Sequence, residues 1–192
     1  MRRVEKRMAQ DQLKMVRNLL RAGEKEHAHK VASRTCAGCA TCCVTMEIHG
    51  IDKKPWTPCP NLARVPVPGG IGCGVYPDRP HECVVFLCAW RQGMTDVDPR
   101  IGLSIDLQRG VGDVPGVVFC FRWNPRVPIG PEHIPVIERA AMECFERGRG
   151  HPIFLIPPGA VHATVVRGGG WRETRDWIPE WVAAQQRAQE GR

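Results

Sequence analysis

Eight of the ten cysteines in this 192-residue chain fall between Cys36 and Cys88. They begin as C-A-G-C-A-T-C-C over residues 36–43 and continue singly at Cys59, Cys73, Cys83 and Cys88. Pro55, Pro58, Pro60, Pro66 and Pro68 stand among them. Proline fixes φ and removes a backbone donor, so residues 51–70 read as an irregular loop rather than a helix or central strand. Gly69 to Gly74 reads as a flexible turn, and it lacks the Gly-Lys-Ser/Thr ending of a phosphate loop. A segment this poor in regular structure needs something other than an oily core to hold it. Its thiols offer metal ligation, a disulfide framework, or burial as unrelated small side chains.

Redox compartment separates these three. The N-terminus, Met1-Arg2-Arg3-Val4-Glu5-Lys6-Arg7, is basic but has no apolar segment and no small-residue cleavage site, so no secretory signal is read there. No stretch approaches the roughly 18 apolar residues of a membrane span. The expectation is a cytoplasmic protein with reduced thiols, where clustered cysteines serve as metal ligands more often than as disulfides. The formal net charge of +7 counts every cysteine as neutral. Two four-thiolate zinc sites would bring it to about +3, so part of the basic excess offsets thiolates.

Spacing then suggests how many centres there are. Two C-x2-C knuckles overlap, Cys36/Cys39 and Cys39/Cys42, with Gly38 suited to the left-handed turn of such a knuckle. Cys42 and Cys43 are adjacent, and in extended backbone their side chains would point to opposite faces. Two centres of four thiols follow: Cys36, Cys39, Cys42 and Cys59 as one, Cys43, Cys73, Cys83 and Cys88 as the other. Tetrahedral zinc accepts four thiolates, although its usual pattern is two clean C-x2-C pairs. Cys36, Cys39 and Cys42 with a remote Cys59-Pro60 also match the ferredoxin-type run of a [4Fe–4S] cluster in outline. The C-x3-C-x2-C spacing of radical chemistry on S-adenosylmethionine is not present.

These motifs in order resemble the CxxCxxCC family of zinc- or iron-chelating cysteine-cluster proteins, with flagellin lysine N-methylase as a more distant relative. The resemblance runs through Cys36-x2-Cys39-x2-Cys42-Cys43, Cys59-Pro60-Asn61-Leu62, Gly72-Cys73-Gly74-Val75-Tyr76-Pro77-Asp78-Arg79-Pro80-His81-Glu82-Cys83 and Phe86-Leu87-Cys88-Ala89-Trp90. It covers about residues 34 to 110. It implies a metal-binding domain and carries Cys36, Cys39, Cys42, Cys43, Cys59, Cys73 and Cys83 over as ligands, with Cys88 an extra cysteine just past the motif. Zinc and an iron–sulfur cluster both stay open as the cofactor. Arg79-Pro80 is read as a turn whose guanidinium supports the site. Tyr76, Phe86 and Trp90 are expected to pack over it. His49 and His81 are read by default as surface or supporting residues rather than ligands.

The rest of the chain reads as α+β: an irregular cysteine-ligated metal lobe with a small antiparallel sheet and flanking helices. Apolar residues from Met8 to Ala22 recur at helical spacing, giving an N-terminal helix over residues 4–30 within a 1–30 segment. Residues 31–123 form the cysteine region with a strand pair. Ile101, Leu103, Ile105 and Leu107 alternate on a half-buried strand, Val111 to Gly116 turns, and Phe119, Phe121 and Trp123 alternate on its partner. Residues 124–192 add a helix at 132–147 with Gly148 at its C-terminal cap, a short strand at 153–156, and Val161 to Val166 pairing back as a hairpin. Gly168 to Gly170 reads as a loose link. A last helix at 177–189 has Pro179 in its first turn and Trp177, Ile178, Trp181 and Val182 as anchors. Cys120 and Cys144 are read as core thiols.

No catalytic constellation emerges. Asp52, Asp78, Asp96, Asp98, Asp106 and Asp113 are scattered without diagnostic spacing. Three readings stay open: a metal-binding protein in a redox, sensing or structural role; an enzyme such as a protein methyltransferase-like activity dependent on the cluster; and a zinc-stapled nucleic-acid or protein adaptor. A protein partner would dock on the N-terminal helix. That helix has no aromatic residue for base stacking, which disfavours nucleic acid, and no membrane partner is expected.

Overall fold

The computed structural model describes residues 33–34, 38–64, 71–75, 78–111, 114–160 and 167–191. The helix expected over residues 4–30, Cys36, Tyr76 and the strand expected over 161–166 lie outside them. The described chain is α+β, with short helices α1 (Thr41–Thr45) and α2 (His81–Val85), a ribbon of β1 (Leu62–Arg64) and β2 (Ile71–Cys73), and a larger sheet carrying two long helices.

That sheet grows from the strongest alternating pattern in the chain. β3 (Leu103–Val111) and β4 (Val114–Trp123) pair antiparallel, with Leu103 opposite Trp123, Ile105 opposite Phe121 and Leu107 opposite Phe119. The expected turn shrinks to the tip of a long hairpin, because pairing resumes at Val111 and Val114. The sheet is mixed rather than wholly antiparallel. β5 (Ile153–Leu155) lies parallel to β4, and β6 (Arg167–Gly169) lies antiparallel to β5, in the order β3-β4-β5-β6. The connection from β4 to β5 runs through α3 (Ile134–Arg147), and a parallel neighbour requires such a crossover. The sheet therefore joins strands from both sides of the 123/124 boundary. The glycines at 168–169 form part of β6 rather than a loose link.

Both faces of the sheet are covered. On one, Phe119, Phe121, Trp123, Ile153 and Leu155 pack against Ile137, Ala140, Ala141 and Cys144 of α3 and Ile178, Trp181 and Val182 of α4 (Trp171–Glu190). Burying such large side chains contributes about 1.5–3 kcal/mol each. On the other, Val118, Cys120, Phe154 and Ile156 form a smaller cluster that Trp56 and Ala160 cover. Trp56 takes φ 62, a left-handed conformation that costs an L-residue roughly 1–2 kcal/mol. That cost is offset by its packing and by Trp56 Nε1 donating to the Ala160 carbonyl at 2.7 Å. β3 is thus buried on both sides where one wet side was expected, since Ser104 and Asp106 are as hidden as Leu103 and Ile105.

Local details depart from the expected pattern in three places. The last helix begins at Trp171, two turns before the expected start, so Pro179 sits inside it. Glu173 reaches back to accept from the Gly170 N–H at 2.8 Å, supplying the start signal. Trp177 lies partly exposed, and Thr174 and Gln185 join Ile178, Trp181 and Val182 on the buried side. Gly148 caps α3 as expected but with φ −82, so it is not there for a left-handed turn. A Cβ at that position would come within 2.4 Å of both the Cys144 carbonyl and the Phe119 ring. Proline-rich residues 51–64 and the glycine turn also hold more order than expected, namely the β1–β2 ribbon with Leu62 opposite Cys73.

Asp106 and Arg122 form a buried ion pair between diagonal positions of β3 and β4, Asp106 standing opposite Cys120 and Arg122 opposite Ser104, and Gln108 Nε2 donates to Asp106 at 2.7 Å. Burial lifts the Asp106 carboxyl above the usual carboxylate range, against the opposing pull of Arg122. A folded-state pKa raised in this way favours the protonated acid. The contribution is full below the unfolded pKa and fades as pH rises through the folded one. Arg122→Met should therefore cost about 3–5 kcal/mol by stranding the carboxylate. Its window also moves upward, so urea unfolding should find a smaller loss in mild acid than in mild alkali. A loss independent of pH would exclude a stranded charge at Asp106.

Candidate metal centre

α1 is a single turn whose buried residues, Thr41, Val44 and Thr45, face the sheet. The Thr41 hydroxyl donates to the Pro99 carbonyl at 2.7 Å and the Thr45 hydroxyl to the Thr41 carbonyl at 3.1 Å. Cys42 and Cys43 occupy the other side, half-buried. The extended backbone expected at this pair is replaced by helix, where neighbours stand about 100° apart rather than on opposite faces. The Cys42 thiol accordingly donates a hydrogen bond to Cys43. Gly38 just ahead takes φ 73, the left-handed conformation expected of it.

Cys59, Cys73 and Cys83 come from three further segments, of which the first is tied directly to Cys43. The Cys59 N–H donates to the Cys43 carbonyl at 2.8 Å, and the Leu62 N–H donates to the Cys59 carbonyl at 3.0 Å. The β1–β2 ribbon then carries Cys73 back opposite Leu62. α2 presents Cys83, and its Glu82 accepts from the Gly50 N–H at 3.0 Å, fastening that helix to the turn at His49–Ile51. Burial, then the charges of Cys43, Cys59 and Cys73, push the Cys83 thiol up to about 11.

Cys39 and Cys88 act on Cys42 through their charges. The hydrogen bond to Cys43, burial, and the charges of Cys43, Cys39 and Cys88 raise the Cys42 thiol well above its ordinary value. Cys88 is held by its neighbours: the Ala89 N–H donates to the Ile105 carbonyl at 2.7 Å, and the Gln92 N–H to the Cys88 carbonyl at 3.0 Å. Arg34, only 4% exposed, donates to the Trp90 carbonyl, the Thr95 carbonyl (2.9 Å) and Asp96, and lies 5.1 Å over the Trp90 ring. Asp96 also accepts from Arg147 at 2.8 Å, while Glu143 accepts from Thr95 and from the Asp96 N–H at 2.7 Å each. This network fastens the chain two residues ahead of Cys36 beside the loop that follows Cys88. Nothing in residue order marks Asp96 and Glu143 for this role, because ion pairs and hydrogen bonds across 47–62 residues leave no local pattern.

Electrostatically Cys83 is coupled to Cys43, Cys59 and Cys73, and Cys42 to Cys43, Cys39 and Cys88. The backbone bond from Cys59 to Cys43 agrees with the first of these sets. Among the described residues, all nine cysteines are reduced thiols, and no group of three or more His, Cys, Asp and Glu closes into a metal-holding arrangement. The fit to a metal lies in the chemistry of the donor set: partly buried thiols, of which Cys42 and Cys83 are held in the protonated form and would be relieved by a shared cation. Arg91 Nε, three residues past Cys88, is also buried without an acceptor, as suits an anionic centre. His49 and His81 are exposed, and His49 lies 3.8 Å from Glu47. Cys120 and Cys144 are fully buried, as expected of core thiols.

Cys43 shifts in the opposite direction from Cys42 and Cys83. The hydrogen bond from Cys42 brings it down to about 7, with Lys53 assisting and burial opposing. Comparison with family models, with curated proteins and with solved structures gives no match. In metal-free protein near neutral pH, iodoacetamide should label Cys43 first and Cys83 several-fold more slowly, as read by peptide mass mapping. Equal rates at the two positions would contradict this electrostatic picture.

Proposed function

We propose that this protein binds two divalent metal ions, zinc foremost, each between four cysteine thiolates, and uses them to staple its loops to the sheet. Cys43, Cys59, Cys73 and Cys83 would hold one ion. Cys39, Cys42 and Cys88 would hold the other, completed by Cys36, whose approach Arg34 prepares. The reading is carried by the backbone bond that ties Cys59 to Cys43 and the ribbon that returns Cys73 opposite Leu62, bringing thiols from three separate segments into one lobe. Ions bound this way supply tetrahedral cross-links and no open position, so the role is structural or sensing. An ion would pull the neighbouring sulfurs onto one point, completing the fold of the lobe, and its binding free energy would be folding free energy. The resemblance to the CxxCxxCC family agrees with this reading, as does a reducing, cytoplasmic setting.

A [4Fe–4S] cluster is the second reading, favoured by the C-x2-C-x2-C run at Cys36, Cys39 and Cys42. It needs a fourth ligand, and the grouping makes Cys88 rather than Cys59 that ligand. Methyltransferase-like and adaptor readings draw on the resemblance and on residues 1–30 alone.

Metal analysis of anaerobically purified protein tests the pair of readings. Two zinc equivalents in a colourless protein support the staple, and iron with acid-labile sulfide in a brown one supports the cluster. The division is tested by pairing variants. Cys59→Ser and Cys83→Ser, singly or together, should each leave one of two metal equivalents, whereas Cys59→Ser with Cys39→Ser should leave none. Loss of both equivalents from the Cys59/Cys83 pair, with one retained in the Cys59/Cys39 pair, would restore the division expected from spacing.

A further inference from the structure

Lys53 is a cation built into the cysteine lobe, and its ammonium donates to backbone carbonyls. It is 4% exposed. Its ammonium donates to the Val44 carbonyl at 3.2 Å, to the Met46 carbonyl, and to the Lys54 carbonyl at 3.0 Å. An ammonium has three protons, so all are taken, and no carboxylate takes one. The backbone fixes it equally firmly. Lys53 and Ile48 exchange N–H and carbonyl bonds at 3.0 Å each across the His49–Ile51 turn, which closes through Asp52 at φ 49. Burying an ammonium costs several kcal/mol unless an opposite charge repays it. Burial accordingly lowers the Lys53 ammonium from its ordinary value, and the charges of Cys59, Cys43, Cys42 and Cys83 oppose that shift.

A divalent ion within four thiolates retains two surplus negative charges, and a buried site cannot spread them into water. Lys53 meets that need. Its position is set by carbonyls of the segment directly after Cys43, and three of the four thiols of the Cys43 group lie within its electrostatic reach.

We propose that Lys53 is the fixed counter-charge of the Cys43/Cys59/Cys73/Cys83 centre, a positioning residue that sets metal affinity by charge rather than by ligation. The proposal rests on the metal-binding reading above. Its ligand is a thiophilic divalent cation, and zinc is the probe.

Zinc titration against a chromophoric chelator separates charge from scaffolding. Lys53→Gln keeps two N–H donors for the carbonyls but no charge, Lys53→Met removes both, and Lys53→Arg keeps the charge. The Gln and Met variants should lose about tenfold to a hundredfold in affinity at one of the two sites, the size typical for partners that support ligands. The Arg variant should stay within a few-fold of the parent, and the second zinc site should change little in all three. That second site reports whether the protein is still folded. A Gln variant that binds both ions as tightly as the parent would overturn the proposal, as would an Arg variant as weak as Met. Failure of the parent protein itself to bind zinc would instead bring down the metal-binding reading, and this inference with it.

Discussion

The β3–β4 pair is buried on both of its faces, and the rest of the molecule takes its place from that. Phe119, Phe121 and Trp123 present one continuous apolar surface, which two long helices cover. A strand pair closed on one side only would leave Val118, Cys120, Asp106 and Arg122 in water. Instead Trp56 and α1 lie over them, and Arg122 Nη1 reaches the Met46 sulfur at 3.7 Å. The cysteine lobe is therefore seated on the sheet through α1, with the sheet face of that turn supplied by Thr41, Val44 and Thr45. Once those three residues point inward, a helix of one turn has no choice but to put Cys42 and Cys43 outward.

The lobe itself is held by polar fastenings more than by apolar packing. Lys53 binds three carbonyls, Arg34 binds two carbonyls and a carboxylate, and Glu143 of α3 accepts from two donors in the loop after Cys88. Each fastening lies beside a cysteine. Cys42 and Cys83, raised by burial and by neighbouring thiols, are costly to ionise, a cost that the proposed metal ion would turn into a cross-link. The arrangement of buried cations around them fits the same need, since both soften the accumulated negative charge.

Much of the framework was legible from residue order. Alternation at Leu103, Ile105, Phe119, Phe121 and Trp123 marked the hairpin, because a period of two has one structural meaning over that length. The stripe from Val136 to Phe145 marked α3 for the corresponding reason. Gly38 was legible as a left-handed turn and Cys120 and Cys144 as core thiols. What escaped were features with no local period. β6 is made of glycines that read as a linker, the parallel partner of β4 depends on where α3 returns the chain, and the buried Asp106–Arg122 pair looks like the wet side of an ordinary strand. The early start of α4 was masked by Pro179, which is usually a helix opener and here lies within the helix.

Sequence alone determined the inventory of the candidate site: eight cysteines packed within 53 residues, prolines that deny the segment a conventional core, and basic residues interspersed among them. Tertiary structure alone decided which thiols keep company. A backbone hydrogen bond ties Cys59 to Cys43, and the loop after Cys88 is locked beneath Arg34. Spacing sets how far apart two thiols can lie, while their meeting depends on hydrogen bonds and packing contributed by residues dozens of positions away.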